Sequence, residues 1–263
     1  MADSVREKLK IIHDPKRPTI DDYIQAMVDD FVELHGDRAF GEDHAVCAGV
    51  GSLAGLPVTI IGNRKGKTAE ENMAANFGMA HPEGYRKALR LAHQAEKFHR
   101  PVICLVDTTG AFPGVGAEER GQGEAIARCL YDFMALRTPV VSVITGEGNS
   151  GGAIALAVAD RVLMLENALY SVISPRGCAS ILWKDASREI EAAERLKITA
   201  QDLFGFGMIE GIIPETPNLL KNVKKALVYT LRELSAVQDV DEMLAKRYEK
   251  FRKIGVFQEI NQR

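Results

Sequence analysis

The sequence lacks the features that several functional classes need. None of its four cysteines belongs to a Cys-x-x-Cys pair, so a zinc ribbon is excluded and no metal site is predicted. No apolar run approaches the ~18 residues of a membrane span, and the N-terminus is charged and polar, unlike a signal peptide. The net charge of −3 gives no electrostatic basis for nucleic-acid binding. We therefore expect a cytoplasmic protein that binds neither membranes nor nucleic acids.

The composition is that of a globular protein. With 263 residues and 46% hydrophobic content, the chain can bury a large core as one domain. We predict a single domain over residues 1–263, with a helical lead over about 1–40 and a helical tail over about 217–263. Cys47, Cys104 and Cys129 lie in apolar patterns and are predicted core residues; Cys178 lies in a motif that could approach a site.

Periodicity predicts the main elements outside the glycine-rich segments. Apolar residues at helical spacing predict a helix over residues 17–35 and another over 82–99. Val46–Leu53 and Leu56–Ile61 read as a hairpin around Ala54-Gly55. Residues 187–206 predict one or two helices, 207–213 a short buried strand, and 218–237 and 239–254 surface helices with an apolar stripe.

The segment Gly146-Glu-Gly-Asn-Ser-Gly-Gly152 follows an apolar strand, precedes a helix and fits three motifs. Gly146-x-Gly148-x-x-Gly151 resembles a dinucleotide fingerprint, but the acidic residue expected roughly 20 positions later has only Glu166 as a candidate, which comes early. Gly148-x-Ser150-x-Gly152 resembles a nucleophile elbow, whose histidine should follow the serine. All six histidines precede Ser150, which disfavours a hydrolase, although other triad orders exist. The third interpretation is an oxyanion hole formed by the Gly151 and Gly152 amides.

A second copy of this pattern lies upstream. Pro101–Asp107 is an apolar strand, Thr108–Gly116 a glycine-rich loop, and Ala117–Arg128 a helix with acidic residues in its first turn. Two strand–loop–helix units suggest stacked repeats. Their strands should run parallel and be buried on both faces, which brings both glycine loops to one edge of the sheet.

Six motifs carry a family resemblance: Gly110–Gln122, Gly146–Gly152, Tyr170–Pro175, Gly177–Trp183, Asn76–Met79 and Pro82–Arg90. Together they resemble the alpha subunit of the carboxyltransferase component of bacterial acetyl-CoA carboxylase, over roughly residues 17 to 255. The resemblance implies an α/β crotonase-like fold, a spiral of repeated β-β-α units with flanking N- and C-terminal helices.

The resemblance also implies a reaction. The carboxyl group of carboxybiotin on the biotin carboxyl carrier protein passes to acetyl-CoA, forming malonyl-CoA for fatty acid biosynthesis. Gly151 and Gly152 are implied to stabilise the biotin ureido oxygen. The substrate-binding residues would be Phe112, Pro113, Gly114, Val115, Gly116, Gly148 and Ser150.

The implied partners are a beta subunit, in an α2β2 assembly that is required for activity, the carrier protein and biotin carboxylase. No cofactor is expected to be bound covalently to this chain, carboxybiotin acts as a co-substrate, and zinc is expected only on the beta subunit.

The chain departs from the family pattern at Arg176, where a glutamate is usual, at Asn149 and at Thr109. Because the charge reversal at Arg176 lies at a predicted helix start, a non-catalytic scaffold is one alternative. A crotonase-like hydrolase using Ser150 is the other.

The segment Gly62–Thr68 is predicted to be a basic loop, for which the sequence leaves two interpretations open. Gly62-Asn-Arg-Lys-Gly-Lys-Thr68 has three residues between its glycines, where a P-loop needs four, so a P-loop is rejected. The cations Arg64, Lys65 and Lys67 either attract an acidic carrier domain or CoA phosphates, or form a solvated basic loop.

Overall fold

The apolar runs after Pro101 and Pro139 form two adjacent parallel strands at the centre of a mixed sheet. The structure is a computed structural model that describes residues 4–237 and 239–255. The strands in these ranges are β1 Asp29–Glu33, β2 Val46–Leu53, β3 Leu56–Asn63, β4 Val102–Thr108, β5 Val140–Asn149, β6 Arg161–Leu165, β7 Leu169–Ser171 and β8 Gly211–Ile213. The sheet order is β1-β2-β3-β4-β5-β6-β8, and β7 pairs with the end of β5. The strands β1 to β3 pair antiparallel and the other pairings are parallel.

Helices pack on this sheet, and further helices precede its first strand and follow its last strand in the sequence. They are α1 Val5–Ile12, α2 Ile20–Met27, α3 Ala69–Ala74, α4 Pro82–Lys97, α5 Val115–Glu119, α6 Gln122–Ala135, α7 Ser150–Ala157, α8 Pro175–Trp183, α9 Glu189–Leu196, α10 Ala200–Gly205, α11 Leu219–Ser235 and α12 Val240–Arg252. Short 3₁₀ turns cover Asn76–Gly78 and Ala186–Arg188. No helix in the described ranges is both long and apolar enough to cross a membrane.

Several predicted elements are confirmed. The hairpin turns at Ala54-Gly55, where both residues have positive φ, as the twist of a two-residue hairpin requires. Every residue of β5 is buried, which explains its unbroken apolar run. The predicted helices over 82–99, 187–206, 218–237 and 239–254 correspond to α4, to α9 and α10, to α11 and to α12. Residues 256–263 of the predicted tail lie outside the described residues.

The helix predicted over residues 17–35, and with it the helical lead over about 1–40, is wrong after Met27. The chain there becomes β1, which pairs with the outer edge of β2. The two glycines of β2 make this pairing possible, because a Cβ at Gly49 would lie 2.5 Å from the Phe31 ring and one at Gly51 2.5 Å from a methyl of Val28. A strand partner elsewhere in the sequence thus overrides the local helical periodicity.

Two boundaries near the glycine loops also differ from the prediction. The strand β5 continues through Gly146–Asn149, which were expected to be a turn, because β7 pairs with its last three residues. The helix predicted over Ala117–Arg128 is interrupted at Gly121, whose φ of +83° separates α5 from α6. The strand predicted over 207–213 is confined to β8.

A buried ion pair attaches α12 to the sheet. The Arg247 side chain is fully buried, and its guanidinium donates to both carboxylate oxygens of Asp160 at 2.8 and 2.7 Å. Its remaining N–H groups donate to the carbonyls of Phe133, Leu136 and Thr138. This arrangement satisfies the guanidinium fully and joins α12 to the end of α6 and the start of β5.

We expect Arg247→Ala to lower the free energy of unfolding by about 3–5 kcal/mol, because it leaves Asp160 buried without its counter-charge. Denaturant unfolding of the purified chain measures the change. Arg252→Ala, on the exposed face of the same helix, is the matched control and should change stability by no more than about 0.5 kcal/mol. Equal losses in the two variants would contradict the interpretation of Arg247 as a buried anchor.

Candidate active site

The two glycine-rich segments meet at the carboxyl end of β4 and β5. A Cβ placed on Gly152 would lie 2.5 Å from the amide nitrogen of Ala111 and 2.5 Å from the carbonyl carbon of Gly110. The first turn of α7 therefore packs directly on the backbone of the loop that follows β4, which only glycine permits at this position. The predicted convergence of the two loops is confirmed.

A cleft of about 390 Å³ opens where these loops meet. Its lining comprises Thr109, Gly110, Ala111, Phe112, Pro113, Glu118, Gln122, Gly123, Ile126, Ser150, Ile173 and Ser174. Three residues that the resemblance assigns to substrate binding, Phe112, Pro113 and Ser150, thus border the cleft.

The other assigned residues lie behind or beside the cleft. Gly114 precedes α5 as its N-cap, and Val115 and Gly116 form the first turn of that helix. Gly148 is buried in β5, where a Cβ would lie 2.9 Å from the side chain of Ile144 and 3.0 Å from that of Tyr170. Its position serves close packing of the strand.

Gly151 and Gly152 are the second and third residues of α7. Amides in the first turn of an α-helix have no acceptor within the helix, and the Asn149 side chain does not cap this one. Such N–H groups, together with the positive end of the helix dipole, favour an anionic oxygen. The arrangement suits a site that stabilises a developing oxyanion.

Ser150 has a strained backbone at the junction of β5 and α7. Its φ of +61° is uncommon for a residue other than glycine and is typical of a strand-to-helix turn that exposes a side chain. No histidine is among the described residues that line the cleft. The nearby His81 ring instead stacks on Phe112, with 4.2 Å between ring centroids.

The side chain of Asp107, at the end of β4, joins the two central strands. Its carboxylate accepts hydrogen bonds from Lys65 Nζ at 2.6 Å and from the Glu147 amide at 2.9 Å. It also occupies the space beside Gly146, where a Cβ would lie 2.4 Å from Asp107 Oδ1. The first glycine of the dinucleotide-like pattern is therefore explained by packing against a carboxylate.

Sequence reasoning missed Asp107, although a polar residue at the carboxyl end of a predicted parallel strand is a usable signal. It also missed Gln122, the last residue of one motif, whose Nε2 donates to the carbonyls of Ala80 and Phe112 at 2.9 and 3.0 Å. The backbone N–H of Phe112 also donates a hydrogen bond to the carbonyl oxygen of Ala80, at 3.0 Å. These bonds fix the backbone of one wall of the cleft.

A chain of charges continues from Asp107 to the surface. Lys65 Nζ lies 3.6 Å from Glu147, and His13 Nε2 lies 3.4 Å from the same carboxylate. The hydrogen bond to Glu147 raises the pKa of His13. Burial acts to raise the pKa of Glu147, but His13 and Lys65 lower it overall.

The basic loop does not offer the free cations that an anion site would need. Arg64 contacts Asp21 and Glu33, Lys65 contacts Asp107, and Lys67 contacts Asp22. Because each positive charge already faces a carboxylate, these contacts do not support the alternative in which the loop attracts an acidic carrier or CoA phosphates.

The cysteines and possible metal ligands are arranged as follows. All four cysteines are buried, which confirms the core prediction for Cys47, Cys104 and Cys129, and Cys178 is also buried. Within the described residues no group of three or more His, Cys, Asp or Glu side chains could hold a metal ion.

Comparisons with known proteins identify the family. A family model described as "Acetyl co-enzyme A carboxylase carboxyltransferase-like" matches residues 4–255. A Clostridium perfringens protein named acetyl-coenzyme A carboxylase carboxyl transferase subunit alpha is 55% identical over 255 residues, which are 94% of each chain. The chain belongs to this carboxyltransferase alpha-subunit family. Alpha subunits from Listeria monocytogenes and Halalkalibacterium halodurans are 51% and 52% identical and align over 95% and 97% of this chain and 81% of their own lengths.

Solved structures confirm the crotonase-like fold class expected for this alpha-subunit family. Transcarboxylase 12S matches with a TM-score of 0.72 and 21% identity, over 89% of this chain and 44% of its own. The beta subunit of Pseudomonas aeruginosa geranyl-CoA carboxylase matches with a TM-score of 0.66 and 18% identity, over 94% and 45%. The chain therefore spans less than half the length of either solved protein.

The two glycines of α7 should respond differently to alanine in this alpha-subunit chain. Gly152→Ala places a methyl against the backbone of the β4 loop and should lower the free energy of unfolding by about 1–3 kcal/mol. The methyl of Gly151→Ala would meet only the Ile126 side chain among the described residues, at 3.4 Å, and should change the free energy of unfolding by at most about 1 kcal/mol. Denaturant unfolding measures both, and equal effects would contradict the packing of Gly152 on the loop.

The ion pair of His13 and Glu147 should make stability depend on pH. Because the folded pKa of His13 exceeds its ordinary value of 6.5, the pair stabilises fully below that value and loses its contribution as pH rises through the folded pKa. The difference in Tm between the wild-type chain and His13→Gln, measured between about pH 5 and 8, should be largest at the acid end. A difference that stays constant with pH would show that the imidazolium is not involved.

Proposed function

We propose that this chain, working with a beta subunit, transfers the carboxyl group of carboxybiotin on a biotin carboxyl carrier protein to acetyl-CoA and forms malonyl-CoA. The family supports the reaction class. The observation that carries the assignment of the site is the meeting of the α7 N-terminus with the Gly110–Phe112 loop around one cleft.

The proposed chemistry needs little from charged side chains. The C–N bond of carboxybiotin breaks, CO2 leaves, and the electron pair remains on the ureido group, where the negative charge concentrates on oxygen. The amides of Gly151 and Gly152 donate to that oxygen as the charge develops. The ureido anion then takes a proton from the acetyl methyl group, and the resulting enolate attacks CO2 to form the new C–C bond.

The Phe112 wall and Ser150 would enclose the biotin ring in the cleft. A dry cleft strengthens the bonds from the amides and keeps water from the transient CO2. Phe112 suits this role because its ring stacks on His81, its N–H donates to the Ala80 carbonyl and its C=O accepts from Gln122 Nε2.

A beta subunit would supply the second oxyanion hole, for the thioester enolate, and would carry the zinc, in an α2β2 assembly. Supporting this, the segment that continues from the cleft exposes large apolar side chains: Val172, Ile181 and Leu182 are 73%, 70% and 64% exposed. Ile181 and Leu182 are consecutive residues of α8, and exposed apolar surface of this kind is typical of an interface. The carrier protein and biotin carboxylase complete the proposed set of partners.

The scaffold alternative rests on Arg176. This residue lies in the first turn of α8, is exposed, and follows Ser174, which lines the cleft. A cation there opposes the helix dipole. The hydrolase alternative has less support, since no histidine lines the described cleft beside Ser150.

We expect malonyl-CoA-dependent carboxylation of biotin, the reverse reaction, only when the chain is mixed with its cognate beta subunit. Gly151→Val should lower kcat by about 10²–10³, because the added side chain blocks access to an oxyanion donor. Gly205→Val, at a position whose Cβ would meet no described atom within 4 Å, is the matched control and should retain activity.

The other outcomes separate the alternatives. A stable complex without turnover would contradict the proposal and favour the scaffold, and Arg176→Glu would then test whether the reversed charge is responsible. Hydrolysis that disappears in Ser150→Ala, with covalent labelling of Ser150, would favour the hydrolase. Failure to form any complex would contradict the proposed assembly.

A further inference from the structure

The side-chain amide of Gln122 uses its N–H donors in hydrogen bonds, but its oxygen accepts none from the described residues. Its Nε2 donates to the carbonyls of Ala80 and Phe112, whereas its Oε1 is buried and has no hydrogen-bond partner among the described residues. The orientation of the amide is determined by its surroundings, because the reverse orientation would place Oε1 against two carbonyl oxygens. Buried acceptors rarely lack a partner, so this one calls for a donor from outside the described residues.

The position of Gln122 indicates where that donor would come from. The residue is 3% exposed and lines the same cleft as Phe112 and Ser150. Ser150 at the start of α7 and Gln122 at the start of α6 both line the cleft, so the unpaired Gln122 acceptor borders the same cleft as the helix end that carries the Gly151 and Gly152 amides. A ligand that presents a carbonyl beside an N–H, as a cyclic urea does, complements both.

We infer that Gln122 Oε1 accepts a hydrogen bond from the ureido N–H of biotin, on the nitrogen that does not carry the carboxyl group. This inference rests on the proposed function. Together with the α7 amides, the contact orients the ring and distinguishes a urea from ligands that lack this N–H. Because the N–H is present before and after CO2 leaves, the contact contributes equally to ground-state and transition-state binding. Its loss should therefore raise KM for biotin more than it lowers kcat.

The test compares biotin with an analogue methylated on that nitrogen, in malonyl-CoA-dependent carboxylation by the complete complex with the cognate beta subunit. For the wild-type complex we expect kcat/KM to favour biotin by about 10–100-fold, since the methylated analogue leaves the acceptor unpaired. The ratio of the two kcat/KM values does not depend on how much of a variant is folded.

Two substitutions remove the acceptor in different ways. Gln122→Ala removes the side chain, and Gln122→Met fills a similar volume without an acceptor. Both should reduce the preference to within about threefold. Loss of the preference in Gln122→Met excludes bulk as its cause, and this variant also replaces the alanine variant if that one does not fold.

Gln122→Glu is the matched control. It keeps an acceptor but loses the N–H donors to Ala80 and Phe112, so it should lower kcat/KM for both substrates while keeping the preference. A preference that survives in Gln122→Met, or one that is lost in Gln122→Glu, would overturn the inference and leave Gln122 as a residue that only positions Phe112. A wild-type complex that does not carboxylate biotin would overturn the proposed function and the inference together.

Discussion

The carboxylate of Asp107 sets the relative position of the two segments that form the cleft. It bonds to the Glu147 amide and to Lys65, and it fills the space that a side chain at Gly146 would need. A carboxylate at the end of a buried parallel strand must be compensated by such partners. Lys65, in the loop after β3, compensates the charge, and the hydrogen bond from the Glu147 amide aligns β4 with β5. The packing of α7 on the loop that follows β4 depends on that alignment.

The cations of this region lie away from the cleft. Those of the basic loop are held by carboxylates, and no cationic side chain is among the described residues that line the cleft, where Glu118 is the charged side chain and the amide of Gln122 is neutral. This separation suits the proposed reaction. A free cation at the cleft would stabilise the carboxylate of carboxybiotin before it reacts, and only interactions that strengthen as charge moves to the ureido oxygen accelerate the step. Fixed backbone dipoles can do this without reorganisation.

Two elements whose structure is fixed by residues close in sequence were predicted correctly, whereas two strand segments that depend on distant partners were not. The β2–β3 hairpin follows from alternating apolar residues and a two-residue turn, and α4 from its amphipathic spacing. The strand β1 was predicted as helix because its helical spacing is real, but its partners on β2 lie some twenty residues away. The strand character of Gly146–Asn149 likewise depends on β7, which the local glycine content does not reveal.

The sequence by itself determined the fold class, the family and the two loops of the site, because apolar periodicity, glycine placement and specific motifs are encoded locally. Only the tertiary structure decided how those loops fit together. It showed that Gly152 packs on the Gly110–Ala111 backbone, that the loop cations are paired, and that Gln122 keeps one acceptor free of partners among the described residues. Each of these depends on distances between residues remote in sequence, and hydrogen bonds and close packing are decided over a few ångströms.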